Sequence, residues 1–289
     1  MTALLISEKN DLEKIAFLIE ECEEMKIEIL PPDINESYQN FSIIPGKQKI
    51  RFGLSIIKNI GTSLVEEIIK EREKKGFFKS FIDFIFRIES KNLNKKSLES
   101  LIKAGVFDRL EERNKLLENL EEVLKFNRSF KQLNNSHQRS LFEKKDSFNP
   151  VFKLKDAKPV SNHQKLLWEK ELLGLYISAH PLERFKKILT KKTLSLSQLK
   201  EQPIFNQPIR IGGIISSIKK ILTKKGDPML FLKLEDLTAK IEVVVFPSLI
   251  EKNSIPLEEN KIVFITGRLD KYNESPKIIA ENIEEIIEQ

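Results

Sequence analysis

The last third of the chain changes its hydrophobic period, and this constrains the fold more than any other feature of the sequence. From about Pro208 the runs IRIGGIISSIKKIL, MLFLKLEDL, AKIEVVVF, KIVFITGRLDKY and PKIIAENI are β-rich and of strand length. KKGDP, DLTA and NESP are turn signals between them, and FPSLIEKN between the third and fourth runs reads as a short helical insert. Five strands with a helix before the fourth is the pattern of an OB-fold barrel.

Upstream the pattern is helical. Residues 12–26 repeat Leu12, Ile15, Ile19 and Cys22 at helical spacing, and Pro31-Pro32 stops the run that follows. Residues 33–55 read as irregular to extended, ending in the strand-like KIRFGLS. Short helices are expected at 62–75, 80–88, 95–103 and 111–126. The first has Thr62 and Ser63 as caps, Glu66 and Glu67 in its first turn, and Gly76 as its stop. Residues 127–164 are polar and aperiodic and read as a flexible linker, and helical spacing returns over 165–190, broken at His180-Pro181. The expected fold class is multidomain α+β.

Charge is placed unevenly. The net charge is +6, yet residues 1–46 hold ten acidic residues against three lysines. Residues 47–165 carry 27 basic residues against 16 acidic ones, so the middle of the chain is where a polyanion is attracted. A solvated lysine-rich surface is the alternative. One cysteine excludes an internal disulfide framework, and three scattered histidines give no zinc spacing. No apolar run is long enough to span a bilayer and the start lacks a basic n-region, so a cytoplasmic protein is expected.

Four stretches carry candidate binding chemistry. In Lys58-Asn59-Ile60-Gly61-Thr62-Ser63 an apolar helix (Leu54, Ile56, Ile57) runs into a glycine turn and a second helix begins at once. Such a hairpin aims backbone N–H groups and a helix N-terminus at one point, which suits a DNA phosphate, with Lys58 adding charge and Thr62 and Ser63 adding hydroxyls. The contact is sequence-neutral. An ordinary helix turn reads the same way. Leu101 to Asp108 is either a second hairpin, with Lys103 and Gly105 at the DNA, or a helix ended by Gly105 with Val106 and Phe107 packed back as core. In the linker, Gln138-Arg139-Ser140-Leu141-Phe142 offers an amide and two adjacent apolar anchors, as short docking peptides do. Leu141 and Phe142 covering a domain surface is the alternative. The tip of the first barrel hairpin carries Lys219, Lys220, Lys224 and Lys225, with Phe231 and Phe246 as candidate stacking rings or as core. Clustered carboxylates for two divalent metals and a glycine-rich phosphate loop are both absent from the sequence, so no catalytic residue is assigned.

These stretches, in this order, resemble the alpha subunit of bacterial DNA polymerase III. TALLISE and KIAFLIEECEEMKIEILPPDIN are similar to the distal part of its fingers (1–50). IRFGLSIIKNIG, FKSFIDFIFRI and NKKSLESLIKAGVFD are similar to its tandem helix-hairpin-helix domain (51–126). KELLGLYISAHPLERF resembles its connecting segment (165–200), and the strand runs its OB domain (201–289). The resemblance implies hairpins lying on primer-template duplex, an OB domain near single-stranded template, and a sliding-clamp peptide between them, which Gln138, Leu141 and Phe142 match in position. It also implies that the catalytic palm, its aspartates and its magnesium lie outside this stretch. The expected role is DNA grip and clamp tethering within an assembled DNA-directed DNA polymerase, with a separate chain as one source of the catalytic half. A split gene product or a truncated reading frame is expected, since Met1 matches a position inside the fingers. The alternative is a stand-alone DNA-binding accessory or repair protein. One departure is Asn59, where the family's first hairpin carries a second glycine. Asn tolerates a left-handed backbone better than most residues.

Overall fold

The computed structural model describes residues 1–9, 11–88, 93–135, 152–205, 207–223, 226–252, 257–272 and 275–286. These form two compact units, Met1–Ser178 and Ala179–Gln289.

The first unit opens with α1 (Thr2–Ser7) and α2 (Leu12–Glu24), followed by β1 (Glu28–Leu30), β2 (Ser42–Ile43) and β3 (Lys49–Arg51). The three short strands form a sheet in the order β1-β3-β2, with β1 parallel and β2 antiparallel to β3. A single 3-10 turn, Leu54–Ile56, leads into α3 (Thr62–Lys75), α4 (Phe81–Arg87), α5 (Lys95–Lys103), α6 (Arg113–Asn135) and α7 (Asn162–Leu173). Ile15, Ile19 and Cys22 are buried as their helical spacing requires. One continuous core runs from Leu5 to Leu173, so residues 1–50 and 51–126 share a single apolar interior. At its centre Phe78, Phe81, Phe84 and Phe107 meet edge to face, with centroids 5.0–5.3 Å apart.

Two helix ends differ from expectation. Gly61, not Thr62 or Ser63, is the N-cap of α3, and Glu66 and Glu67 lie beyond its first turn. The helix expected over 111–126 runs Arg113–Asn135. The Glu112 carboxylate accepts the Asn114 and Lys115 N–H groups at 2.7 and 3.1 Å and so caps its start. Part of the stretch read as linker folds back on α6. The buried Asn119 amide bonds both N–H and C=O of Lys155, Asn114 donates to the Lys158 carbonyl, and Phe152 and Leu154 pack on the core.

The second unit holds a 3-10 turn at Glu183–Phe185, α8 (Lys186–Lys192) and α9 (Leu196–Glu201). A barrel follows, made of β4 (Pro208–Leu222), β5 (Pro228–Glu235), β6 (Lys240–Val245), α10 (Pro247–Lys252), β7 (Ile262–Tyr272) and β8 (Ser275–Glu285). All five expected strands and the helical insert are present. The barrel closes in the order β4-β5-β6-β8-β7, with β7 returning to β4 and only the β6–β8 pair parallel. The result is an α+β chain: a helical region followed by a closed five-stranded OB-type barrel. Helices α8 and α9 belong with the barrel because Leu196 and Leu199 enter its core and α8 packs on β4. A Cβ on Gly212 of β4 would lie 2.5 Å from Leu189 of α8, so the bare backbone is what admits that helix. The compact division therefore falls after Ser178.

Candidate nucleic-acid interface

In the barrel, strand alternation sends Leu230, Leu232 and Leu234 inward from β5 and leaves Phe231 and Lys233 on the outer face. The same rule turns Ile241 and Val243 of β6 inward and Glu242 outward; on β8, Ile278 is inward and Lys277 outward. Register aligns these outward positions in two adjacent rows. In one, Lys219 faces Phe231, Phe231 faces Val244, and Val244 faces Ile279. In the other, Ser217 faces Lys233, Lys233 faces Glu242, and Glu242 faces Lys277. An aromatic–aliphatic strip thus lies beside a charged strip. The charged strip, with Lys219 and Phe231 from the other, lines a groove of about 610 Å³ that also takes in Ile221 and Lys240.

Four lysines against one glutamate make the groove cationic. Lys277 Nζ sits 2.5 Å from Glu242 Oε1 and 5.3 Å from the centre of the Phe231 ring. Lys240 Nζ is 3.6 Å from Glu235. Lys219 and Lys233 are exposed and form no ion pair with a described residue. An apolar floor for base faces and ammonium groups for phosphates are what a single nucleic-acid strand requires.

Of the barrel residues singled out in the sequence, the structure brings Lys219 and Phe231 together. Phe231 is half-buried on the outer face and is not a core ring. Lys220 pairs across with Leu230 and points to the other side of β4. Phe246 is 41% exposed just beyond β6 and does not line the groove. Lys224 and Lys225 lie outside the described residues.

In the first unit, Lys58, Asn59, Gly61, Thr62 and Ser63 form one exposed turn. The expected apolar helix before it is only the 3-10 turn, because the Ile57 N–H already closes on Leu54 and the backbone then turns extended. Asn59 adopts φ +67°, the left-handed conformation that a glycine takes without cost. Its side-chain amide donates to Ser100 Oγ at 3.2 Å, and the Lys58 N–H donates to the Leu172 carbonyl, which ties the turn to α5 and α7. At Gly61 an added Cβ would touch nothing nearer than Ser63 Oγ at 4.0 Å. Gly61, Thr62 and Ser63 are exposed and Gly61 offers no side-chain cap, so the positive end of α3 meets solvent.

The stretch Leu101–Asp108 takes the other form. Val106 N–H bonds Leu101 C=O and Gly105 N–H bonds Ile102 C=O, a Schellman ending, with Gly105 at φ +82°. Val106 and Phe107 are core. Gly105 is buried under the Arg113 guanidinium, which a Cβ would approach to 2.3 Å. Its backbone faces protein, not solvent. Lys103 is one-quarter exposed, pairs with Glu99 at 2.6 Å and lies over Trp168. Gln138, Leu141 and Phe142 fall outside the described residues.

Sequence comparison adds to this geometry. Residues 26–117 match a helix-hairpin-helix motif family, and residues 209–286 match an OB-fold nucleic acid binding domain. The DNA polymerase III subunit alpha of Borreliella burgdorferi is 37% identical over 98% of the chain. That of Thermus aquaticus is 32% identical over 100% of it. Along nearly its whole length the chain is similar to DNA polymerase III alpha subunits. It spans about a quarter of the length of these polymerase relatives, 25% and 24%. Among solved structures, the second OB-fold domain of replication protein A from Methanococcus maripaludis covers 33% of the chain at 19% identity with a TM-score of 0.26.

Sequence reasoning missed Lys233, Lys240, Glu242 and Lys277. The signal was present in the period-2 alternation of β5, β6 and β8. It becomes usable only once register sets residues more than thirty positions apart side by side. Asp33 is buried, its carboxylate accepts the Asn35 and Glu36 N–H groups, and Arg109 pairs with it at 3.3 Å. Among the described residues no group of three or more His, Cys, Asp and Glu is placed to hold a metal ion. No helix among them is long and apolar enough to cross a membrane.

Proposed function

We propose that this chain is a DNA-gripping portion of a polymerase III alpha-type replicative polymerase. In this reading the barrel groove takes a single strand, the Lys58–Ser63 turn takes a duplex phosphate, and nucleotide transfer happens on other polymerase residues. The single observation that carries it is the cationic groove with Phe231 in its floor, on a barrel inside a chain that matches polymerase relatives along nearly its whole length. Both contacts are to phosphate and base faces, so grip is independent of sequence, as a replicative enzyme needs. Magnesium belongs to the catalytic residues, which sit on the rest of the polymerase or on a separate chain.

Tethering is the second part of the proposal. Gln138, Leu141 and Phe142 dock on the sliding clamp, so a weak peptide contact holds the polymerase at the primer end by effective concentration. Leu141→Ala with Phe142→Ala abolishes clamp capture in a pull-down while leaving thermal unfolding unchanged; undiminished capture contradicts it. For the groove, the test is fluorescence anisotropy with a labelled oligonucleotide. Phe231→Ala weakens binding by about fivefold to a hundredfold, from a stacking contribution of about 1–3 kcal/mol. Equal affinity for the variant would remove the groove from the DNA path.

A further inference from the structure

The groove holds a feature that single-strand binding does not itself require: its aromatic ring is already occupied. The Lys277 ammonium lies 5.3 Å from the Phe231 ring centre, within cation–π range, and the same ammonium is 2.5 Å from the Glu242 carboxylate. The two contacts hold one side chain in one place. Glu242 and Lys277 are cross-strand partners on β6 and β8, and Phe231 lies one strand further on and one row along. Glu242 is also set opposite Lys233, so it faces cations on both neighbouring strands.

We propose that the Lys277–Glu242 pair is a latch over a base-stacking subsite on Phe231, and that the ligand is an unpaired nucleobase with its adjoining phosphate. The proposal rests on the reading of the groove as a single-strand site. A base and the ammonium compete for one face of the ring. When a base stacks on Phe231, Lys277 leaves the ring and exchanges the Glu242 carboxylate for a phosphate oxygen. No net charge is lost by the lysine in this exchange, because one anionic partner replaces another. Glu242 is then a positioning residue that sets how readily the platform opens. It weakens binding of every strand alike while Phe231 and the lysines supply the attraction. This accounts for a carboxylate in the middle of an otherwise cationic floor, where it opposes the ligand's charge.

The test is a double-mutant cycle on the full chain, read by anisotropy and by the fluorescence of a 2-aminopurine base in a single-stranded oligonucleotide. Glu242→Gln releases Lys277 from its carboxylate and tightens binding by about two- to fivefold, the weight of one exposed ion pair. In a Lys277→Gln background the same Glu242→Gln change has little further effect, because the latch is already gone. Stacking quenches 2-aminopurine in wild type and in Glu242→Gln, and Phe231→Ala abolishes the quench. If Glu242→Gln tightens binding equally with and without Lys277, the carboxylate acts only as a diffuse charge and the latch is overturned. If Glu242→Gln leaves affinity unchanged or weakens it while Phe231→Ala still weakens binding, the latch fails and the single-strand reading stands. If wild type neither binds the oligonucleotide nor quenches the probe, both fail together.

Discussion

At the residue scale, the first unit depends on a few buried polar groups that join distant segments. Arg113 is 4% exposed in its side chain. It donates to the Asp108 carboxylate at 2.9 and 2.7 Å, to the Lys103 carbonyl at 2.8 Å and to Glu169 at 3.2 Å. Glu169 is itself buried and accepts from the N–H groups of Ile177 and Ser178. Removing one partner strands the other charge away from water. Arg113→Ala therefore lowers unfolding free energy by about 3–5 kcal/mol in chemical denaturation. Gly105→Ala is expected to cost at least about 1–3 kcal/mol, since it combines a left-handed backbone with a clash against that same guanidinium. Gly61 is the contrast: its φ is −81° and the space around its Cβ is open. Gly61→Val leaves unfolding within about 1 kcal/mol of wild type, yet weakens duplex DNA binding roughly tenfold by covering the α3 cap.

At the element scale, caps and register decide where function sits. Burial pushes the Glu112 carboxyl up, but its hydrogen bonds from Val160, Lys115 and Asn114 and the charge of Lys165 outweigh this and hold it below the usual range. A carboxylate whose pKa is depressed by folding stabilises the fold above its unfolded pKa, near about 4.3. That contribution is lost as pH falls through the lower folded value. Burial likewise raises Glu36, and Arg109 and Arg51 outweigh it, with the same sign. Urea unfolding monitored from pH 6 downward should show a smaller acid loss for Glu112→Gln than for wild type, measured as the pH dependence of ΔG (roughly the range of pH 3–5). The strands of the barrel were legible from sequence because alternation and turn residues are local. The groove was not, because Phe231, Glu242 and Lys277 meet only through non-local register. The Leu101–Asp108 stretch was ambiguous because a Schellman glycine and a hairpin glycine look alike along the chain. Only the pairing of Val106 N–H with Leu101 C=O separates them.

At the scale of the whole molecule, the described residues of each unit present an open, basic or amide-rich surface, and polymerase alpha subunits match 98% and 100% of the chain. The excess of basic residues over 47–165 gave the direction of attraction, but charge alone does not separate a phosphate site from a solvated surface. In the barrel, register sets exposed Lys219 and Lys233 beside the Phe231 ring, the arrangement on which the proposed phosphate site rests. The central claim is that this floor and these lysines hold a single nucleic-acid strand, and salt linkage tests it most directly. Affinity for a single-stranded oligonucleotide is measured from low to moderate salt for wild type, for Phe231→Ala and for Lys219→Ala with Lys233→Ala. The account predicts a linear fall of log K with log salt. Phe231→Ala lowers the line without changing its slope, and the double lysine variant makes the slope shallower by about 1.4, at about 0.7 per phosphate contact. A wild-type affinity indifferent to salt, or a slope that the lysine variant leaves unchanged, would contradict it.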